Sequence, residues 1–159
     1  MNDSWETFAS ALLDESQSLA NLNAAAIALT QILPGGDPAQ IIAADRAVDS
    51  ARRAHQGASA RRRGIQARGF GAMTLQQVCR HAPVHMAAHI DQRFSEIAFG
   101  SISLRITVAN NKALIVAGLE RLLAITAKLQ ESVSDRSGVY KRRGFVAPPS
   151  GSVLVSSKA

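Results

Sequence analysis

A periodicity of three and four residues governs the opening segment and limits what this chain can become. Trp5, Phe8, Leu12, Leu19, Leu22, Ala26, Leu29 and Leu33 follow it, and Glu15 alone interrupts them. A strand alternates every two residues, so this spacing forms a single stripe only on a helix. A stripe this regular is the seam of coiled-coil-like packing. Asp3 or Ser4 reads as the N-cap of a helix over about 4–33, and Pro34-Gly35-Gly36 ends it. Asp37-Pro38 then supplies an N-cap and a first helical residue for a second helix. So short a turn predicts an antiparallel hairpin.

The second seam is Ile41, Ala44, Val48, Ala51, His55, Ala58, Arg62 and Ile65, in which small residues dominate. Gly57, Gly64, Gly69 and Gly71 surround Arg61-Arg62-Arg63 and predict a flexible break over 57–72, since each Gly costs roughly 1 kcal/mol against Ala in a helix. Thr74 reads as the cap of a short helix that Pro83 punctuates. A long third helix is expected over about 83–130, with Ile90, Phe94, Ile97, Ser101, Leu104, Val108, Asn111, Ile115, Gly118, Leu122, Ile125 and Leu129 in its seam. Ile102, Leu104, Ile106 and Val108 also alternate like a strand, but the stretch is short and sits inside the longer helical pattern. The expected fold is therefore all-α: an antiparallel long-helix hairpin plus a long third helix in a coiled-coil-like bundle over 1–131. A flexible tail rich in Ser, Gly and Pro follows over 132–159.

Aromatic residues make up only 4% of the chain, which suits close-packed Ala, Leu, Ile and Val helices better than a sandwich or barrel. Cys79 is the single cysteine, so no intrachain disulfide can form and a reducing compartment is expected. No Lys or Arg precedes Arg46, which argues against a secretory signal. The longest dense apolar run, from Ala113 to Leu119, is far short of the roughly 20 residues that span a bilayer. A cytoplasmic location follows as the expectation, without membrane insertion.

No catalytic set stands out. No Gly-x-Ser-x-Gly elbow or phosphate loop appears, and the 12 acids form no obvious inward-facing pair. The chain is therefore not expected to be an enzyme or to need a cofactor. Cys79, His81, His85 and His89 cluster in sequence and could hold zinc. Pro83 splits them and no carboxylate completes the set, so polar residues near a helix start are the favoured reading and no metal is expected. The formal net charge is +6, and eight Arg lie between Arg46 and Arg80 with only Asp49 opposing them. Phe70 is the only aromatic near this run, and no helix-turn-helix signature accompanies it. A solvated basic face is favoured over nucleic-acid binding.

The far end of the third helix is the most informative feature. Ile115, Leu122, Ile125 and Leu129 fill one stripe, while Leu114, Val116, Leu119 and Leu123 widen it past what one antiparallel neighbour covers. Either a folded-back tail seals this surface as ordinary core, or the surface is a docking groove for an amphipathic partner helix.

Several short stretches, taken in order, resemble the flagellar export chaperone FlgN family. They are Leu75-Gln76-Gln77-Val78 before an Ala-Pro break, Asn110-Asn111-Lys112-Ala113-Leu114 leading to Gly118-Leu119-Glu120-Arg121-Leu122-Leu123, and Ser137-Gly138-Val139-Tyr140 before Arg143-Gly144 and Pro148-Pro149. The Arg61–Arg63 run and the Lys-Arg-Arg after Tyr140 depart from that family. The resemblance implies a small helical cytosolic protein of type III export. Such a protein binds the C-terminal helices of hook-associated (hook–filament junction) proteins and delivers them to the export gate. Carried over by position, Val108, Asn111, Leu114, Ile115, Leu119, Leu122 and Ile125 would hold the client, and Tyr140 would dock at the gate's cytoplasmic domain. The competing expectations are a basic nucleic-acid-binding protein using Arg52 to Arg68, and an adaptor coiled coil that forms a homodimer or larger oligomer through the first seam.

Overall fold

The computed structural model of the chain describes residues 2–143, and side chains over 3–133. Four helices follow in order: α1 (Asn2–Ile32), α2 (Pro38–Phe70), α3 (Leu75–Arg80) and α4 (Val84–Arg143). The fold is all-α, with no strand among the described residues. The chain divides into two units, Met1–Gly118 and Leu119–Ala159.

Within the first unit, α1 is the central helix. Its seam from Trp5 to Leu29 is buried throughout, with Leu33 half-buried just beyond. The α2 seam also faces inward, from half-buried Ile41 to buried Ala58 and Arg62 and half-buried Ile65. Trp5 meets Phe70 with ring centroids 4.5 Å apart, and Ser18 Oγ lies 3.2 Å from His55 Nδ1. Positions rise on α1 as they fall on α2, so the pair is antiparallel. Asp37 caps α2 by accepting from the Gln40 amide at 2.8 Å, and Gln40 Oε1 accepts from the Asp37 amide in return. Thr74 and Gln77 build the same box at the start of α3.

α4 runs parallel to α1 on another flank. Asn23 Nδ2 donates to the Gly100 carbonyl at 2.9 Å, and farther along Asn111 Nδ2 donates to the Ala26 carbonyl at 3.0 Å. The close approach depends on Gly100, where a Cβ would come within 2.9 Å of Leu19 Cδ2. One end of the bundle is closed by a cluster of Trp5, Phe8, Leu12, Val78 and Ile90, with Phe70 and Leu75 packed against it. Phe8, Leu12, Val78 and Ile90 have lost all measurable exposure, each contributing about 1.5–3 kcal/mol of transfer free energy. Residues 100–108 are helical; half-buried Leu104 faces the bundle, while Ile102 and Ile106 are exposed.

The structure differs from the sequence expectation at several places. The predicted break over 57–72 is confined to its last two residues, because α2 continues to Phe70 and only Gly71, at φ +62°, and Ala72 leave the helix. Buried Ala58, buried Arg62 and Phe70, packed at a steep angle on the Trp5 and Phe8 rings, anchor that stretch to α1 and outweigh the glycine cost. α1 begins at Asn2, ahead of the expected caps. α4 passes Ser132, where a tail was expected to begin, and continues through Gly138 to Arg143. A single Gly among otherwise helix-compatible residues does not stop it. The rest of the expected tail, 144–159, lies outside the described residues. The α1 seam is consumed by α2 and α4, so it is not the oligomerisation surface proposed for an adaptor coiled coil.

Candidate docking surface

The polar interruptions in the first two seams meet each other. Glu15 breaks the α1 stripe and Arg62 breaks the α2 stripe, and the antiparallel register brings them face to face. Arg62 Nε donates to Glu15 Oε2 at 2.7 Å and Nη2 to Oε1 at 3.3 Å, in the two-point geometry favoured between guanidinium and carboxylate. The two side chains are 10% and 4% exposed. Burial pushes the Glu15 carboxyl up, but hydrogen bonds from Arg62 and Ser59 and the Arg62 charge outweigh it, leaving the group below its ordinary value.

The arginine run is therefore not one solvated basic face. Arg62 is internal, Arg61 lies 3.9 Å from Asp14 of α1, and Arg63 is exposed. Upstream, Asp49 ion-pairs with both Arg52 and Arg53. Half-buried Cys79 has its thiol pushed up to about 11 by burial, with the Asp91 charge adding to it. So high a value leaves little thiolate at neutral pH to act as nucleophile or ligand. Among the described residues, no group of three or more His, Cys, Asp or Glu is placed to hold a metal. Among those residues, too, no helix is long and apolar enough to cross a membrane.

The first unit contains an apolar cleft of about 270 Å3 where three helices converge. Ala26 and Leu29 come from α1, Val48 from α2, and Val108, Ile115 and Val116 from α4. Val108 and Ile115, named from the sequence, stand on its wall and remain about half exposed. The sequence marks Ala26, Leu29 and Val48 only as seam residues, because a cleft between helices is invisible until their register is known. Asn111 also lines the cleft, but it is only 7% exposed and both ends of its amide bond to α1. Nδ2 donates to the Ala26 carbonyl, and Oδ1 accepts from the Thr30 hydroxyl at 2.6 Å. Asn111 thus ties α4 to α1, and its expected role as a client contact is corrected to a structural one. Leu114 is exposed on α4 near the end of this unit.

In the second unit, every described side chain of α4 from Leu119 to Val133 is exposed. Leu119, Leu122 and Ile125, the remaining predicted contacts, retain 55%, 61% and 47% of their surface. Leu123, Leu129 and Val133 extend the same apolar face. A helix in water normally buries such a stripe, whereas here these side chains are exposed among the described residues. Tyr140 falls within α4, but its side chain lies outside the described residues. Compared with protein-family models, curated proteins and solved structures, the chain matches none.

Proposed function

We propose that this chain is a non-enzymatic export chaperone of the FlgN type. In this reading it works in the cytoplasm and shields an amphipathic C-terminal helix of a hook-associated protein until delivery to the export gate. The observation that carries the reading is the apolar face of α4 in the second unit, exposed at Leu119, Leu122, Ile125 and Leu129. The ordered sequence stretches that resemble the family supply the identity of the client, and Tyr140 is the residue assigned to gate docking.

The mechanism is burial of apolar surface. At about 25 cal/mol per Å2, covering half-exposed leucines contributes favourable free energy that association costs then reduce. The balance is a reversible grip, which suits a carrier that must release its cargo. The nucleic-acid alternative is less favoured because Arg52, Arg53, Arg61 and Arg62 already face Asp or Glu. The test is co-purification with a hook-associated protein's C-terminal peptide. A Leu119→Asp, Leu122→Asp double variant should lose the peptide while keeping its helical circular dichroism, since neither residue supports the core. Undiminished capture by that variant would refute the assignment.

A further inference from the structure

We propose that, with no client bound, the second unit's α4 face pairs with the same face of a second copy of this chain. Leu119, Leu122, Thr126, Leu129 and Val133 follow a strict three-four repeat, occupying alternate a and d positions of a heptad. Thr126 is the one polar member, and its hydroxyl already donates to the Leu122 carbonyl at 2.8 Å. Its burial in a seam therefore strands no donor.

The surface also has the relief that such pairing requires. Thr126, Leu129, Gln130 and Val133 line a hollow on α4. These positions are i, i+3, i+4 and i+7, the four-residue hole that receives a knob from a facing helix. Leu123 and Ile125 flank the seam with apolar surface, whereas Glu120, Arg121, Lys128 and Glu131 fall at outer heptad positions. No charge lies in the seam or beside it over 119–133, so two identical helices meet without like-charge repulsion.

The area is also adequate for a pair. Leu119, Leu122, Leu123, Ile125, Leu129 and Val133 are each 47–70% exposed. At on the order of 100 Å2 apiece, two copies would bury about 1,200 Å2, the lower edge of a specific interface. An interface of that size is weak enough for a client helix to displace.

Sedimentation of the full chain without client, across a range of concentrations, is the primary test. The expected result is a concentration-dependent doubling of the 16.8 kDa mass, abolished by Leu129→Asp with circular dichroism unchanged. A second variant, Thr126→Cys, reads the geometry. In a parallel, in-register pair residue 126 occupies a seam position and faces residue 126 of the other copy. Mild oxidation should give at least tenfold more cross-linked dimer than the unmodified chain, whose only thiol is Cys79. A chain that stays monomeric, or a dimer indifferent to Leu129→Asp and uncrosslinked through residue 126, would overturn the pairing. The result separates from the chaperone reading: a monomer that captures client removes the pairing alone, and a dimer that ignores client removes the chaperone alone.

Discussion

Replacing Arg62 by alanine strands the Glu15 carboxylate between α1 and α2, where it is 4% exposed and loses both guanidinium hydrogen bonds. Removing one partner of a buried ion pair costs about 3–5 kcal/mol, whereas replacing both by apolar groups of similar volume is often neutral or favourable. Arg62→Ala should therefore lower the urea midpoint strongly and reduce Tm by roughly 10 °C for a chain of this size. The Glu15→Leu, Arg62→Met double variant should recover most of that loss. The pH dependence supplies an independent sign. In the native chain the folded Glu15 value lies below the ordinary 4.5. Its contribution is present above 4.5 and is lost as pH falls through the depressed folded value. Without Arg62, only the Ser59 hydrogen bond and the His55 charge oppose burial, the largest single influence, so the folded value should rise and from this group acid should now stabilise rather than destabilise. Urea titrations of the native chain and both variants between pH 3 and pH 7 would show this reversal. A cost below about 1 kcal/mol for Arg62→Ala, or an unchanged acid slope, would refute a buried pair with one partner compensating the other.

Gly100→Ala should destabilise by about 1 kcal/mol, because overpacking against fully buried Leu19 exceeds the gain in helix propensity. By contrast, Gly57→Ala has open space around the new Cβ and should stabilise by about 0.5–1 kcal/mol, both effects being measured by chemical denaturation. Asn111→Ala should cost about 1–2 kcal/mol of stability by removing the two hydrogen bonds that tie α4 to α1, while the Thr30 hydroxyl and the Ala26 carbonyl, 3.0 Å apart, keep each other as partners. Client capture below the unfolding transition should survive that change, and its selective loss would return Asn111 to the binding surface.

Local information settled the outlines of the helices. Every α1 seam position from Trp5 to Leu29 is buried, and no α2 seam position is exposed, because three-four spacing places residues on one face without reference to any neighbour. The caps at Asp37 and Thr74 were equally readable, since each bonds a residue only three positions away. Helix ends that depend on packing were not. The glycines of α2 argued for a break, and contacts with α1 held the helix together to Phe70.

Tertiary structure alone decided what the exceptions meant. Glu15 looks like a flaw in one stripe and Arg62 like part of a basic run; only the antiparallel register, which joins positions 47 residues apart, makes them a pair. Likewise, Asn111 and Gly100 acquire their roles from the α1 surface beside them, as a hydrogen-bonding tie and a point of close approach. The excess apolar surface of α4 was visible as a pattern, but a pattern does not say whether a neighbour covers it. That distinction rests on long-range packing, which leaves Leu119 to Val133 exposed while the same periodicity earlier in α4 is partly spent against α1.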